Sequence, residues 1–240
     1  MTFFESLAEP FTGEALFDCL PDLVFFIKNA RREYVVVNQT LVERLGRREK
    51  AELLGRKVEE LFPAPLGRSY GAQDEQVLST GTPIRNQLEL HIYPTGKQGW
   101  CVTNKLPLHG TDGSVAGLFG FSRDLQAAAA RGKEFSQVAE AVRRIQNDYG
   151  ESLSVARLAR SAGLSQYQFE QRIRRIFQIT AGQLIQKARM EGAMRRLSER
   201  DDPIATVALE CGYSDQSAFT RAFRQTVGIS PSEYRRVRRP

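Results

Sequence analysis

Apolar residues along this chain keep one period up to about residue 125 and another from residue 134 onward. In the first stretch they fall in short runs of strand character: "DLVFFIKN", "EYVVVN", "NQLELHIY" and "GWCVTNKLPL", followed by "VAGLFGF" after the tight-turn signal "HGTDGS". Between the early and late runs, "QTLVERLG", "EKAELLG" and "QDEQVLSTG" read as short helices closed by glycine or a turn. The pattern predicts a mixed α and β domain over 15–125 behind an N-terminal extension, 1–14. The alanine-rich, charged "SRDLQAAAARGKEF" predicts a short helical linker over 126–133. Residues 134–240 then hold the helical period throughout.

The helical part repeats itself. In the first copy Ser154 is the expected cap of a helix whose apolar face is Val155, Leu158, Ala159 and Ala162; Gly163 turns the chain, and Ser165 caps the next helix with Gln168 completing a capping box. In the second copy Asp202 is the expected cap and Pro203 the first helical residue. Ile204, Val207, Ala208 and Cys211 form the apolar face, Gly212 turns, and Ser214 is the expected cap of the following helix. Gly212 lies 49 positions after Gly163, and Phe219 and Phe223 lie 50 after Phe169 and Ile173. The result is two units of helix, tight turn and helix, at about 154–177 and 203–227. A continuous helix of about 15 residues, roughly 23 Å long, separates them. Ser230, Pro231 and Glu233 open a last helix as a capping box.

Charge changes this picture by its placement. The chain carries 34 Lys and Arg against 28 Asp and Glu, a formal net of +6, and the whole excess falls in residues 134–240. With Phe219, Phe223 and Val227 turned inward, Gln216, Ser217, Thr220, Arg221 and Arg224 line the outer side of their helix. Gln166, Tyr167, Glu170, Gln171 and Arg174 do the same in the first copy. These side chains suit major-groove edges: arginine donates twice to guanine, glutamine both donates to and accepts from adenine, and glutamate accepts from cytosine. One such helix, taken alone, reads better as the solvated face of an ordinary bundle. Two, matched position by position, favour double-stranded DNA as the partner.

Residues 134–238 resemble the DNA-binding domain of the AraC/XylS family of bacterial transcription regulators. The specific part is "PIATVALECGYSDQSAFTRAFRQTVGISPSEYRR". The first unit departs from the family pattern, with Gln178 where glycine is usual and Ala181 where proline is usual. The resemblance implies base-reading roles for Tyr167, Glu170, Gln171, Gln216, Ser217 and Arg221. Gln166, Arg174, Thr220 and Arg224 are then assigned to phosphate. RNA polymerase is an open partner.

Residues 15–125 resemble a PAS sensor domain, on "PDLVFFIKNARREYVVVNQTLVERLG", "LLGRKVEELFP" and "TNKLPLHGTDGSVAGLFGFSRDL". That likeness implies a five-stranded antiparallel sheet with short helices over one face, and a homodimer through this domain. Strand alternation puts Phe26, Val36, Leu88, Leu90, Ile92, Val102 and Phe119 on the covered side with no acid or base among them, which predicts an uncharged small-molecule effector. A domain that only pairs with a second copy is the alternative. His91 is expected to face away from Leu90 and Ile92 as a surface residue and His109 falls in a turn, so no metal and no cofactor is expected. Cys19, Cys101 and Cys211 are scattered and read as reduced thiols, too few for the zinc cluster of a DNA-repair methyl acceptor, the rival from another class. No catalytic constellation appears, and the reading is not an enzyme. The first twenty residues carry Glu5, Glu9, Glu14 and Asp18 with no basic lead, and the longest early apolar run is "LVFFI", so a cytosolic protein without a signal peptide or membrane span is expected.

Overall fold

The computed structural model describes residues 6, 12–95, 98–125 and 133–238. It divides into two compact units, one of Met1–Gln87 and His91–Asp124, the other of Leu125–Pro240 with Leu88–Leu90. The linker expected over 126–133 lies outside the described residues except for Lys133, and so does most of the 1–14 extension.

The N-terminal unit runs α1 (Glu14–Asp18), β1 (Leu23–Asn29), β2 (Tyr34–Val37), α2 (Gln39–Arg44), a 3-10 turn at Lys50–Glu52, α3 (Val58–Leu61), α4 (Leu66–Thr80), β3 (Ile84–Ile92), β4 (Gln98–His109) and β5 (Val115–Asp124). The sheet order is β2-β1-β5-β4-β3. Antiparallel pairing sets Phe26 opposite Gly120 and Lys28 opposite Leu118, and on the other side of β5 sets Lys105 opposite Gly120. Asn38 fastens the early elements. Its side chain caps α2, accepts from Phe25 N at 2.9 Å, and donates to Leu23 O at 2.7 Å and Phe17 O at 3.1 Å.

Side chains of one strand alternate between the two faces of a sheet. Lys28 and Lys105 both reach Asp74 on α4, the second at 2.6 Å, so Phe26, Lys28, Cys101, Thr103 and Lys105 share the α4 side. Thr103 Oγ1 and Ser122 Oγ, 2.9 Å apart, lie on that side too. On β3, His91 is 5.3 Å from the Tyr70 ring of α4 and its Nδ1 is 3.1 Å from Tyr93 Oη. Glu89, two residues before it, therefore also faces α4.

This corrects two expectations. His91 is not an outward surface residue. Of the seven apolar residues expected on the covered side, Phe26 alone lies there: Val36 and Phe119 pair with Ile27 on the other face, Val102 alternates with Cys101, and Leu88, Leu90 and Ile92 alternate with Glu89 and His91. The α4 side carries acids and bases instead. The physical reason is that this sheet is buried on both faces, so apolar alternation does not mark its inner side, while ion pairing lets lysine and aspartate be buried with less than one-tenth exposure.

The C-terminal unit contains α5 (Lys133–Asn147), α6 (Val155–Ser161), α7 (Gln166–Phe177), α8 (Ala181–Glu199), α9 (Ile204–Glu210), α10 (Gln216–Val227) and α11 (Pro231–Arg238). Phe169, Ile173, Phe219 and Phe223 are fully buried. Gly163 and Gly212 turn with φ of 66 and 80°, values that a side chain disfavours. Ser165 and Gln168 form the expected capping box. In the second copy the caps differ from expectation. Pro203, not Asp202, precedes the first helical residue, and Asp215, not Ser214, caps α10 by accepting from Ala218 N at 2.8 Å. Asp215 suits that place because its carboxylate reaches the free N–H while Ser214 Oγ donates to it at 3.0 Å. The connecting helix α8 has 19 residues, hence about 28 Å, longer than its apolar face suggested.

Two outcomes test this packing. Asp74 is completely buried; burial raises its pKa, but the facing Lys105 and Lys28 ammonium groups lower it further, and the net is below the ordinary carboxylate value. Asp74→Asn leaves two buried ammonium groups uncompensated and should cost about 3–5 kcal/mol in chemical denaturation. Since the folded pKa is depressed, the contribution of Asp74 is present above an unfolded value of about 4 and is lost as pH falls through the folded one. In the C-terminal unit, a Cβ on Gly192 of α8 would lie 2.3 Å from the Tyr149 ring. Gly192→Ala should lower stability by about 1–3 kcal/mol, read as an earlier unfolding transition.

Candidate nucleic-acid interface

Burial of Phe169 and Ile173 on α7, and of Phe219 and Phe223 on α10, decides which side of each helix meets solvent. Rings fix the second helix in place: Phe219 and Phe223 lie 5.5 Å apart and Phe223 meets Tyr234 of α11 at 5.6 Å. Opposite these rows, Gln166, Tyr167, Gln171 and Arg174 are exposed on α7, and Gln216, Ser217, Arg221 and Arg224 on α10. Tyr167 is 73% exposed, unusual for so large a ring without a partner surface. Thr220 is half-buried between the exposed stripe and the core side.

Glu170 departs from the base-reading role expected of it. Its side chain is only 25% exposed, Oε2 accepts from Ala181 N at 3.2 Å, and the same oxygen is 3.9 Å from Arg174 Nε. It supports the start of α8, alongside the Thr180 and Gln183 capping box, instead of pointing into solvent. The reason is local: proline at 181 would have no N–H, whereas alanine presents one that α7 can satisfy. Arg175 and Gln225, not singled out in the sequence, are exposed on the same stripes, each four residues beyond Gln171 and Arg221. That spacing was the available signal.

The basic excess is not all interface. Arg189 Nε donates to Tyr149 O at 3.0 Å, Arg196 Nη1 to Tyr149 Oη at 2.6 Å, and Arg235 Nη2 to Asp202 O at 2.6 Å. Arg196 also meets Glu210 at 2.6 Å. These guanidinium groups brace turns, whereas Arg174 and Arg175 on α7 and Arg221 and Arg224 on α10 are exposed. Among the described residues no helix is long and apolar enough to cross a membrane.

Residues 158–237 match the family model described as a helix-turn-helix domain, and residues 17–130 match that described as the PAS fold. "Probable transcriptional regulator LumQ" of Photobacterium leiognathi is 37% identical over 90 residues, which are 38% of this chain and 36% of that protein. The DNA-binding domain of AdpA, solved in complex with a target DNA, is 32% identical, with 43% of this chain and 96% of that one covered and a TM-score of 0.42. A Chromobacterium violaceum transcriptional regulator, described with AraC-type DNA-binding domain-containing proteins, is 25% identical over 43% of this chain and 93% of its own, with a TM-score of 0.41. The chain spans about a third of the length of the curated relatives it matches first.

The two side chains at neighbouring positions of α7 separate by experiment. Glu170→Ala should lower stability by about 1 kcal/mol through the lost bond to Ala181 N and leave base preference unchanged in a binding-site selection. Gln171→Ala should leave stability unchanged and relax the preference at one position of the selected sites.

Proposed function

We propose, from the premise that this chain joins a PAS-fold domain to an AraC-type helix-turn-helix domain, that it is a sequence-specific transcription regulator which binds promoter DNA through α7 and α10 in successive major grooves of one duplex. The observation that carries this reading is the pair of exposed stripes, Gln166, Tyr167, Gln171 and Arg174 against Gln216, Ser217, Arg221 and Arg224, set 50 residues apart on helices joined through α8. Neither stripe packs on the body of its unit, and both combine base-edge donors and acceptors with arginine. Tyr167, Gln171, Gln216, Ser217 and Arg221 are the base readers in this reading. Gln166, Arg174, Thr220 and Arg224 hold phosphate.

The PAS-fold domain would supply the signal or the pairing, with a homodimer as the assembly. Its inner face favours a ligand with polar groups over the apolar effector expected from the strand pattern, because Lys28, Asp74, Lys105, Glu89 and His91 lie there. The chain acts by binding and not by catalysis. A methyl-acceptor role is disfavoured by Cys211, which is fully buried and whose thiol burial pushes up to about 11, leaving little thiolate at neutral pH.

Arg221→Ala should weaken binding to a selected site by about 1–3 kcal/mol and leave random duplex nearly unaffected, as a lost base contact does. Arg224→Ala should weaken both duplexes together and flatten the salt dependence. Footprinting of the full chain should show, within each unit bound, two unequal contacted blocks about 10 base pairs apart. Equal losses on specific and random duplexes for Arg221→Ala, or one contiguous block, contradict the reading.

A further inference from the structure

We propose that the α4 side of the PAS-fold sheet holds a mixed imidazole, thiolate and carboxylate site for a borderline divalent metal ion of the zinc class, formed by His91, Cys101 and Glu89. One ligand atom from each of the three lies within 4.8 Å of the other two. Strand geometry brings them together: Glu89 and His91 are two residues apart on β3 and so share a face, and β4 is the neighbour that carries Cys101 beside them. Ligand bonds of about 2.0–2.3 Å put tetrahedral donor atoms roughly 3.3–3.8 Å apart, so small side-chain rotations close the set.

Donor chemistry selects the ion. Calcium and magnesium take oxygen ligands, whereas one nitrogen, one sulfur and one oxygen suit zinc or cobalt. With the thiol deprotonated, one thiolate and one carboxylate neutralise a divalent cation, the charge balance that a site of this burial requires: Glu89 is 2% and Cys101 0% exposed. Outer contacts are in place as well. Tyr93 Oη engages His91 Nδ1 at 3.1 Å, which directs Nε2 to the metal, and Arg44 Nη1 holds the same hydroxyl at 3.2 Å. Thr103 Oγ1 lies 3.8 Å from Cys101 Sγ. Three protein ligands leave the fourth tetrahedral position to water or to a small donor molecule, the arrangement of a site that exchanges ligands rather than one that only staples a fold. The site is independent of the DNA-binding reading and would stand without it.

The test uses the full 240-residue chain, stripped with a chelator and titrated with Co2+ under reducing conditions. One Co2+ per chain should bind, with a near-ultraviolet thiolate-to-cobalt charge-transfer band and the visible absorption of a tetrahedral ion, both removed by added Zn2+. Cys101→Ser should abolish the charge-transfer band, while Cys19→Ser, which alters an exposed thiol elsewhere, should keep it. His91→Gln and Glu89→Gln should each weaken binding about tenfold or more. Wild-type protein that binds no Co2+, or that gives only the weak spectrum of an octahedral oxygen-ligated ion, overturns the proposal, and these wild-type spectra decide it even if a variant fails to fold. A charge-transfer band that survives in folded Cys101→Ser overturns it equally.

Discussion

Tyr149, in the turn after α5, is the joint on which the arrangement of the C-terminal unit depends. Its ring lies against Gly192 so closely that a methyl group there has no room, its carbonyl accepts from Arg189, and its hydroxyl accepts from Arg195 at 3.2 Å and Arg196 at 2.6 Å. Arg196 continues to Glu210 at the end of α9, and the Arg189 guanidinium lies 5.5 Å from the Tyr213 ring just past the turn at Gly212. One aromatic residue thereby ties the turn before the first helix-turn-helix, the middle of α8 and the turn of the second helix-turn-helix. At the other end, Gln186 donates to Thr226 Oγ1 at 2.7 Å and fastens α8 to α10. A helix of 19 residues can act as a spacer only if its two ends are fixed in rotation, and these contacts supply that condition.

The N-terminal unit solves a different problem with buried polar groups. Asn38 satisfies backbone atoms of three segments that apolar packing alone would leave unpaired. Asp74 draws two lysines from two strands onto one helix. Arg44 holds Asp124 through two bonds, at 2.8 and 2.5 Å, at the point where β5 leaves the sheet. Each of these residues fixes a register or an exit angle, and Asp74 with its two lysines makes the α4 side of the sheet polar. A polar interior accepts a metal ion or a polar ligand more readily than an apolar one, so the devices that hold the fold also set the chemistry it can bind.

Sequence legibility followed the same division. The helix-turn-helix units could be read because each has one buried and one exposed face, so Phe169 and Ile173, and then Phe219 and Phe223, announce themselves at helical spacing. Strands could be found but not oriented. In a sheet packed on both sides, Leu88, Leu90 and Ile92 look like the inner face because they are apolar, while Glu89 and His91 between them are buried by partners on α4 and β4 that only the three-dimensional pairing supplies. The starts of α9 and α10 slipped by one residue for a related reason, since Asp202, Ser214 and Asp215 all carry capping side chains, Pro203 suits a helix start, and backbone geometry decides among them.

The repeat reaches further than the two turns. Thr180, Ala181 and Gln183 at the start of α8 correspond to Ser230, Pro231 and Glu233 at the start of α11, and both sets form capping boxes. Gln178 corresponds to Gly228, and both are left-handed, with φ of 61 and 87°, so the first copy keeps this turn with a residue that disfavours it. Glu170 corresponds to Thr220. The substitutions at 170 and 181 fit one another: alanine at 181 exposes an N–H, and glutamate at 170 accepts it. In the second copy proline has no such N–H, and a short threonine suffices at the matching place. The bond from Ala181 N ties the Glu170 carboxylate to the start of α8 through Oε2. The exposed stripe of α7 keeps Tyr167 and Gln171, while that of α10 has Gln216, Ser217 and Arg221, where Pro231 offers no N–H for such a tie. Two copies of one motif have in this way become unequal in helix capping, in addition to the difference between Tyr167 and Gln171 on one exposed stripe and Ser217 and Arg221 at the matching places of the other.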